Sequence, residues 1–276
     1  MTRRSVTFTL SFLLSVSILA PAPTLAVDSA PLPASMAAVG DSITRAASSG
    51  GTLGADYPQN SWSTGSSSTV NSHYLRLLAA GAPVGGNVHN LSVSGAKVGD
   101  LNGQMLNAVE VQPDYLTVLI GGNDLCTDTV AEMTSVQDFR SRFAAAMGTL
   151  AAGSPETFVY VVSIPDVHQL WQLFRNNWWA RFIWSTADIC QSLLQNPTST
   201  QQADVERRAA VRQRNIDYNV QLAEICAQYA ARCHFDGNAV FNTKFTTGDV
   251  SGDYFHPSIA GQAKLASVSW AAGYAF

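Results

Sequence analysis

Gly40-Asp41-Ser42-Ile43-Thr44 puts a serine directly behind the short apolar run Met36-Ala37-Ala38-Val39. A serine hydroxyl is a weak nucleophile and needs a base within hydrogen-bond reach. Taken alone, the motif fits a helix cap or a turn better than a nucleophile. Five histidines could supply the base: His73, His89, His168, His234 and His256. Only His256 has a carboxylate at tight local spacing in a loop, in Asp253-Tyr254-Phe255-His256-Pro257. A turn brings residues three apart together, so Asp253 can accept from Nδ1–H while Nε2 faces the serine. That carboxylate would fix the tautomer and stabilise the imidazolium formed during reaction. The other four have ordinary readings on helices or strand ends, and His256 in isolation could sit on a surface turn.

Attack on a carbonyl also needs donors fixed where the oxyanion forms, and losing one typically costs about 10²–10³ in rate. Two glycine-containing stretches can supply them. Asn90-Leu91-Ser92-Val93-Ser94-Gly95 ends in a glycine that allows close backbone approach, and Gly121-Gly122-Asn123-Asp124 offers the Asn123 side-chain amide. Each is a weak signal alone. Their order along the chain is the specific feature.

The elements that must position these residues alternate between apolar runs and longer helical patterns. Strands are predicted at 36–40, 88–93, 115–120 and 157–164, with a short one near His234-Phe235. Helices are predicted at 70–80, 98–109, 139–152 and 203–230, with a last one after Pro257. Strands separated by such helices imply βαβ units, hence an α/β three-layer sandwich with a mostly parallel central sheet. A single domain over 33–276 is expected. In open sheets of this kind ligands bind beyond the carboxyl ends of the strands, and all three glycine-containing motifs follow a predicted strand.

Gly40-Asp41-Ser42, Gly95, Asn123 in Gly-Gly-Asn-Asp, and Asp253-x-x-His256 resemble, in order, the four blocks of the SGNH (GDSL) hydrolase family. The resemblance spans nearly the whole chain after its first residues. It implies a flavodoxin-like fold with Ser42 as nucleophile, His256 as base and Asp253 as its orienter. It also implies an oxyanion hole from the N–H groups of Ser42 and Gly95 and the Asn123 amide. The Gly-x-Ser-x-Gly elbow of α/β-hydrolases is absent. A finer similarity, in Asn60-Ser61-Trp62-Ser63-Thr64-Gly65 and Ile120 to Cys126, is to the phospholipase-B-like branch, which implies a lipid acyl ester as substrate. A deacetylase of acetylated carbohydrate could use the same constellation. A non-catalytic binding protein on this fold would be expected to lose Ser42, Asn123 or His256, and all three are present.

The 276 residues are 46% hydrophobic and 13% charged, enough to bury a large core. A formal charge of −4 leaves no broad basic footprint, so no nucleic-acid partner is expected. Arg3 and Arg4, the mostly apolar stretch 6–20 and Thr24-Leu25-Ala26 read as an export signal over 1–26, followed by a loose lead-in at 27–32. A secreted, monomeric protein is expected. Four cysteines suit that compartment: Cys126, Cys190, Cys226 and Cys233. Four allow three pairings, and the sequential one is adopted here. On one continuous helix Cys226 and Cys233 would stand about 10 Å apart, so their pairing requires the helix to stop between them. No calcium, phosphate-loop or zinc motif is recognisable, and no metal or cofactor is expected.

Trp171, Phe174, Trp178, Trp179, Phe182 and Trp184 crowd one segment. Trp171, Phe174, Trp178 and Phe182 fall at helical spacing on one side. They read either as a helix face buried in the core or as an aromatic flap that meets acyl chains or a lipid surface. Arg207, Arg208, Arg212 and Arg214 read as a solvated helix face, with Asp204 as a pair for Arg208. The alternative for them is contact with anionic headgroups.

Overall fold

The computed structural model describes residues 1, 2, 5 and 31–273, and the fold lies in the unit that begins at Pro31. Apart from residues 1, 2 and 5, the expected export signal over 1–26 and the lead-in as far as residue 30 lie outside the described residues.

Among the described residues five strands form one sheet: β1 (Met36–Gly40), β2 (Val88–Asn90), β3 (Tyr115–Leu119), β4 (Phe158–Val161) and β5 (Cys233–Phe235). Their order is β2-β1-β3-β4-β5, and every neighbouring pair is parallel. This is the flavodoxin-like order, with its switch point between β1 and β3. β2 is shorter than predicted because the Asn90 side chain accepts from Ser92 N–H and turns the chain away.

The helices are α1 (His73–Ala79), α2 (Leu101–Val111), α3 (Gly122–Leu125), α4 (Val136–Gly153), α5 (His168–Phe174), α6 (Trp178–Thr186), α7 (Gln191–Leu194), α8 (Gln202–Gln228), α9 (Ala239–Asn242) and α10 (Ile259–Ala271). Strand side chains alternate between two cores, as a sheet covered on both faces requires. Leu116 and Val118 of β3 join Met105 of α2, Phe143 of α4 and Leu222 of α8. Tyr115 and Leu119 join Leu77 of α1, Trp62 and Leu265 of α10. The protein is therefore a three-layer α/β sandwich.

Two disulfides join Cys126 to Cys190 and Cys226 to Cys233. α8 stops at Gln228 and Cys233 opens β5, which brings the second pair to a Cα separation of 5.3 Å. In the chain-entropy account, so short a loop contributes about 2.5 kcal/mol.

Two expectations need correction. The aromatic segment is not one helix presenting one side, because it breaks between α5 and α6. Phe174 and Trp184 are buried, Trp171 is half-buried, and Trp178, Trp179 and Phe182 are exposed. The arginines of α8 are not a solvated face either. Arg207, not Arg208, pairs with Asp204, Arg212 pairs with Asp166, and Arg208 is buried, with its guanidinium over the Trp171 ring. Arg214 donates to the Thr134 carbonyl.

The end of β1 is the tightest point of the sheet edge. Gly40 has φ +145°, and a Cβ there would lie 2.2 Å from the Leu119 carbonyl oxygen. Gly40→Ala is expected to lower stability by about 2–5 kcal/mol through strain and overpacking, read as a reduced urea midpoint. An unchanged midpoint would show that β1 and β3 can separate freely here.

Candidate active site

The chain leaves β1 at Gly40 and turns at once. The Asp41 carbonyl accepts from Thr44 N–H and Arg45 N–H, and the Asp41 carboxylate accepts from Ile43 N–H at 2.9 Å. This double turn lifts Ser42 to the carboxyl edge of the sheet, where it is 7% exposed. Its Oγ lies 2.9 Å from His256 Nε2, and His256 Nδ1 lies 2.7 Å from the Asp253 carboxylate. The other Asp253 oxygen accepts from the backbone N–H groups of Phe255 and His256, both at 3.0 Å. Burial alone would push the Asp253 carboxyl up. The His256 ring and these donors outweigh it and hold the group below the usual carboxylate range. Asp253 is thus an anion aimed at the far side of the imidazole.

The remaining histidines sit elsewhere. His73 is wholly buried between Tyr115 and Ser269, and burial pushes its pKa down to about 3. His234 faces the Ala272 carbonyl and His89 the Asn87 side chain. His168 stacks obliquely on Trp171.

Ser42, Asn123 and His256 share the wall of one cleft. Asn123 stands in the first turn of α3, and one of its amide hydrogens holds the Ala96 carbonyl at 2.9 Å. An amide nitrogen has two donors, so the second remains for the cleft. Gly95 lies on the adjoining loop rather than in the cleft wall, with φ +83° and open space where a Cβ would stand. The backbone N–H groups of Ser42 and Gly95 have no hydrogen-bond acceptor among the described residues. The rest of the wall is largely apolar, including Ile43, Ile164, Pro165, Leu170, Leu173 and Phe255. Cys126 borders it, so one disulfide runs along its edge. Among the described residues no three His, Cys, Asp or Glu side chains converge as a metal site.

Sequence reasoning missed the groups that hold this arrangement. Gln104 of α2 accepts from Gly40 N–H at 2.7 Å and donates to the Gly40 carbonyl at 2.9 Å. Gln262 of α10 accepts from Trp62 N–H at 2.9 Å and donates to the Ile43 carbonyl at 2.8 Å. Trp62, fully buried, donates its ring N–H to Thr44. Both glutamines lie on the apolar stripe of their helix, three positions from a buried Leu. A polar residue at a core position was the available signal.

A family model described as GDSL-like lipase/acylhydrolase matches residues 36–268. Among solved structures, the chain is similar to a family 3 carbohydrate esterase from Clostridium thermocellum at 16% identity and TM-score 0.51, covering 86% of this chain and 93% of that one. It is similar to an extracellular lipase from Streptomyces rimosus at 17% identity and TM-score 0.50, covering 87% and 99%. A structure described as a GDSL-like lipase, from Parabacteroides merdae, matches at 17% identity and TM-score 0.51, covering 86% and 94%. At these identities the likeness is one of fold. No curated protein matches the chain.

Asp41 carries a measurable consequence. Burial pushes its carboxyl up to about 7, against the lowering effect of the Ile43 N–H and of His256. Between its ordinary value near 4 and about 7 the folded state binds more protons than the unfolded one. Its contribution to stability is therefore full below about 4 and is lost as pH rises through about 7. Asp41→Asn should shrink the fall in Tm between pH 5 and pH 8 relative to the parent. Parallel Tm curves would show that Asp41 does not titrate in this window.

Proposed function

The chain belongs to the GDSL-like lipase/acylhydrolase family, and on that premise we propose that it is a secreted serine hydrolase of carboxylic esters, acting on acyl lipids. The observation that carries this reading is the unbroken relay Asp253–His256–Ser42, at 2.7 and 2.9 Å, opening onto an apolar cleft.

In this reading His256 Nε2 takes the Ser42 proton as Oγ attacks the ester carbonyl carbon. The carbonyl oxygen becomes an oxyanion and is received by the N–H groups of Ser42 and Gly95 and by the free hydrogen of the Asn123 amide. The imidazolium, steadied by the Asp253 carboxylate, returns the proton to the leaving alkoxide, and the alcohol departs. Water then enters, gives a proton to His256 and attacks the acyl-enzyme. As the tetrahedral intermediate collapses and the bond to Ser42 Oγ breaks, His256 Nε2 returns the proton to that oxygen, which releases the acid and restores both residues. The apolar wall around Leu170, Leu173 and Phe255 suits an acyl chain better than a sugar, whose hydroxyls would lose water there without replacement. Secretion is supported by the two disulfides, and among the described residues no helix is long and apolar enough to cross a membrane.

A panel of nitrophenyl esters, phospholipids and acetylated sugars tests the reading. Ser42→Ala should abolish turnover, and Asn123→Ala should lower kcat by about 10²–10³ with little change in KM. Full activity in Ser42→Ala would overturn the mechanism. Turnover confined to acetylated sugars would replace the lipid ester by a carbohydrate ester.

A further inference from the structure

Trp178, Trp179 and Phe182 are 57%, 58% and 48% exposed. Exposure so large and contiguous marks a surface that meets something apolar. The three rings pack on one another, with centroids 4.4 Å apart for Trp178–Trp179 and 5.8 Å for Trp178–Phe182. The opposite side of α6 is buried through Ala180 and Trp184. The indoles of Trp62, Trp171 and Trp184 each donate to an acceptor: Thr44, Pro197 and Tyr254. Those of Trp178 and Trp179 donate to none among the described residues and face solvent.

From α5 to the end of α6 the charged side chains are arginines. Residues 167–187 hold Arg175 and Arg181 and no acidic side chain; of the two carboxylates that border them, Asp166 is paired with Arg212 and Asp188 is exposed just beyond α6. Neither arginine forms an ion pair among the described residues. The Arg175 guanidinium lies 4.3 Å over the Trp171 ring, and Arg181 sits within α6 beside the exposed rings. A short helix with exposed Trp and Phe and arginines free of carboxylate partners matches the chemistry of an interfacial helix on an anionic lipid surface. Indoles, with an apolar body and one donor, favour the headgroup boundary.

The helix is also tied to both sides of the cleft. Trp184 donates to the carbonyl of Tyr254, which lies between Asp253 and His256. Phe174, just before α6, packs edge-on against the Tyr254 ring. On the other side, Cys190 follows α6 and is bonded to Cys126, three residues beyond Asn123.

We propose that Trp178, Trp179 and Phe182, with Arg175 and Arg181, form a docking face for an anionic lipid surface, held beside the cleft by Trp184 and the Cys126–Cys190 bridge. The proposal rests on the acyl-lipid reading for its purpose, but docking itself needs no turnover. It predicts that lipid-borne esters are favoured over soluble ones because the enzyme is held at the interface.

The test uses the full chain, vesicles of phosphatidylglycerol and phosphatidylcholine, a soluble short-chain nitrophenyl ester and a long-chain ester carried in the vesicles. The parent and Ser42→Ala should both sediment with the mixed vesicles, and binding should weaken when phosphatidylglycerol is omitted. Trp178→Ala/Trp179→Ala/Phe182→Ala should lose vesicle binding by about tenfold or more. Its rate on the vesicle-borne ester should fall in parallel while its rate on the soluble ester is kept. Binding by the triple variant equal to the parent's would overturn the proposal, as would an equal loss on both esters. Retention of the parent on insoluble polysaccharide, with no vesicle binding, would also overturn it and assign the face to carbohydrate. Vesicle binding by Ser42→Ala in a protein whose parent hydrolyses no ester would leave the docking face standing and remove the proposed function.

Discussion

The hydrogen bond from Ser42 to His256 joins residues 214 apart in sequence, and the structure is organised around keeping it at 2.9 Å. Neither partner lies within a regular element. Ser42 is on a turn beyond β1, and His256 is on a turn before α10. A contact made by two turns keeps its length only if each turn is fixed to something rigid. Gln104 pins the end of β1 from below, through both polar groups of Gly40. Gln262 joins α10 to the serine turn through Ile43, so the element after the histidine directly grips the element bearing the serine. Each amide is buried and satisfied at both ends, which is the condition under which a buried polar network adds rigidity rather than cost.

The carboxyl edge of the sheet shows the same logic in its acids. Asp41 follows β1 and Asp236 follows β5, while Asp124 lies just beyond β3, and all three are buried. Asp41 receives Ile43 N–H, Asp124 receives Val98 N–H and Thr134, and Asp236 receives Ser163 and the N–H groups of Asn238 and Val240. Burial pushes all three carboxyls up. They serve as acceptors for turns that would otherwise leave buried backbone donors unpaired. Desolvation is the cost of placing an acceptor at each of these turns. Asp253 differs. Its hydrogen-bond donors and the His256 ring outweigh burial and hold it below the usual carboxylate range.

Much of the fold was legible because parallel strands covered on both faces must be apolar along their whole length. Met36–Gly40 and Tyr115–Leu119 are wholly buried, and their runs stood out. The long α8 was legible from its length, and its end was constrained by the need to bring Cys226 to Cys233. At the candidate site, the local pair Asp253 and His256 could be read from spacing, since a turn is enough to join them. What was not legible depends on contacts distant in sequence. No spacing reveals that Gln104 reaches Gly40, 64 positions away, or that Gln262 reaches Ile43, 219 away. The aromatic segment misled for a related reason. Helical spacing persists through Arg175–Asn177, but the Asn177 side chain caps a new helix and starts α6 on its own axis. The arginines of α8 misled because a stem long enough to cross a helix can place its charge over a half-buried ring, as Arg208 does on Trp171.

The central claim is that Ser42 is made nucleophilic by His256. Reaction with a fluorophosphonate, followed by mass spectrometry of the digested protein, tests it directly, because phosphonylation requires an activated hydroxyl but no knowledge of the natural ester. One adduct is expected, on the peptide containing Ser42, formed rapidly in the parent and greatly slowed in His256→Ala. An adduct on another residue, or equal labelling of Ser42 without His256, would contradict it.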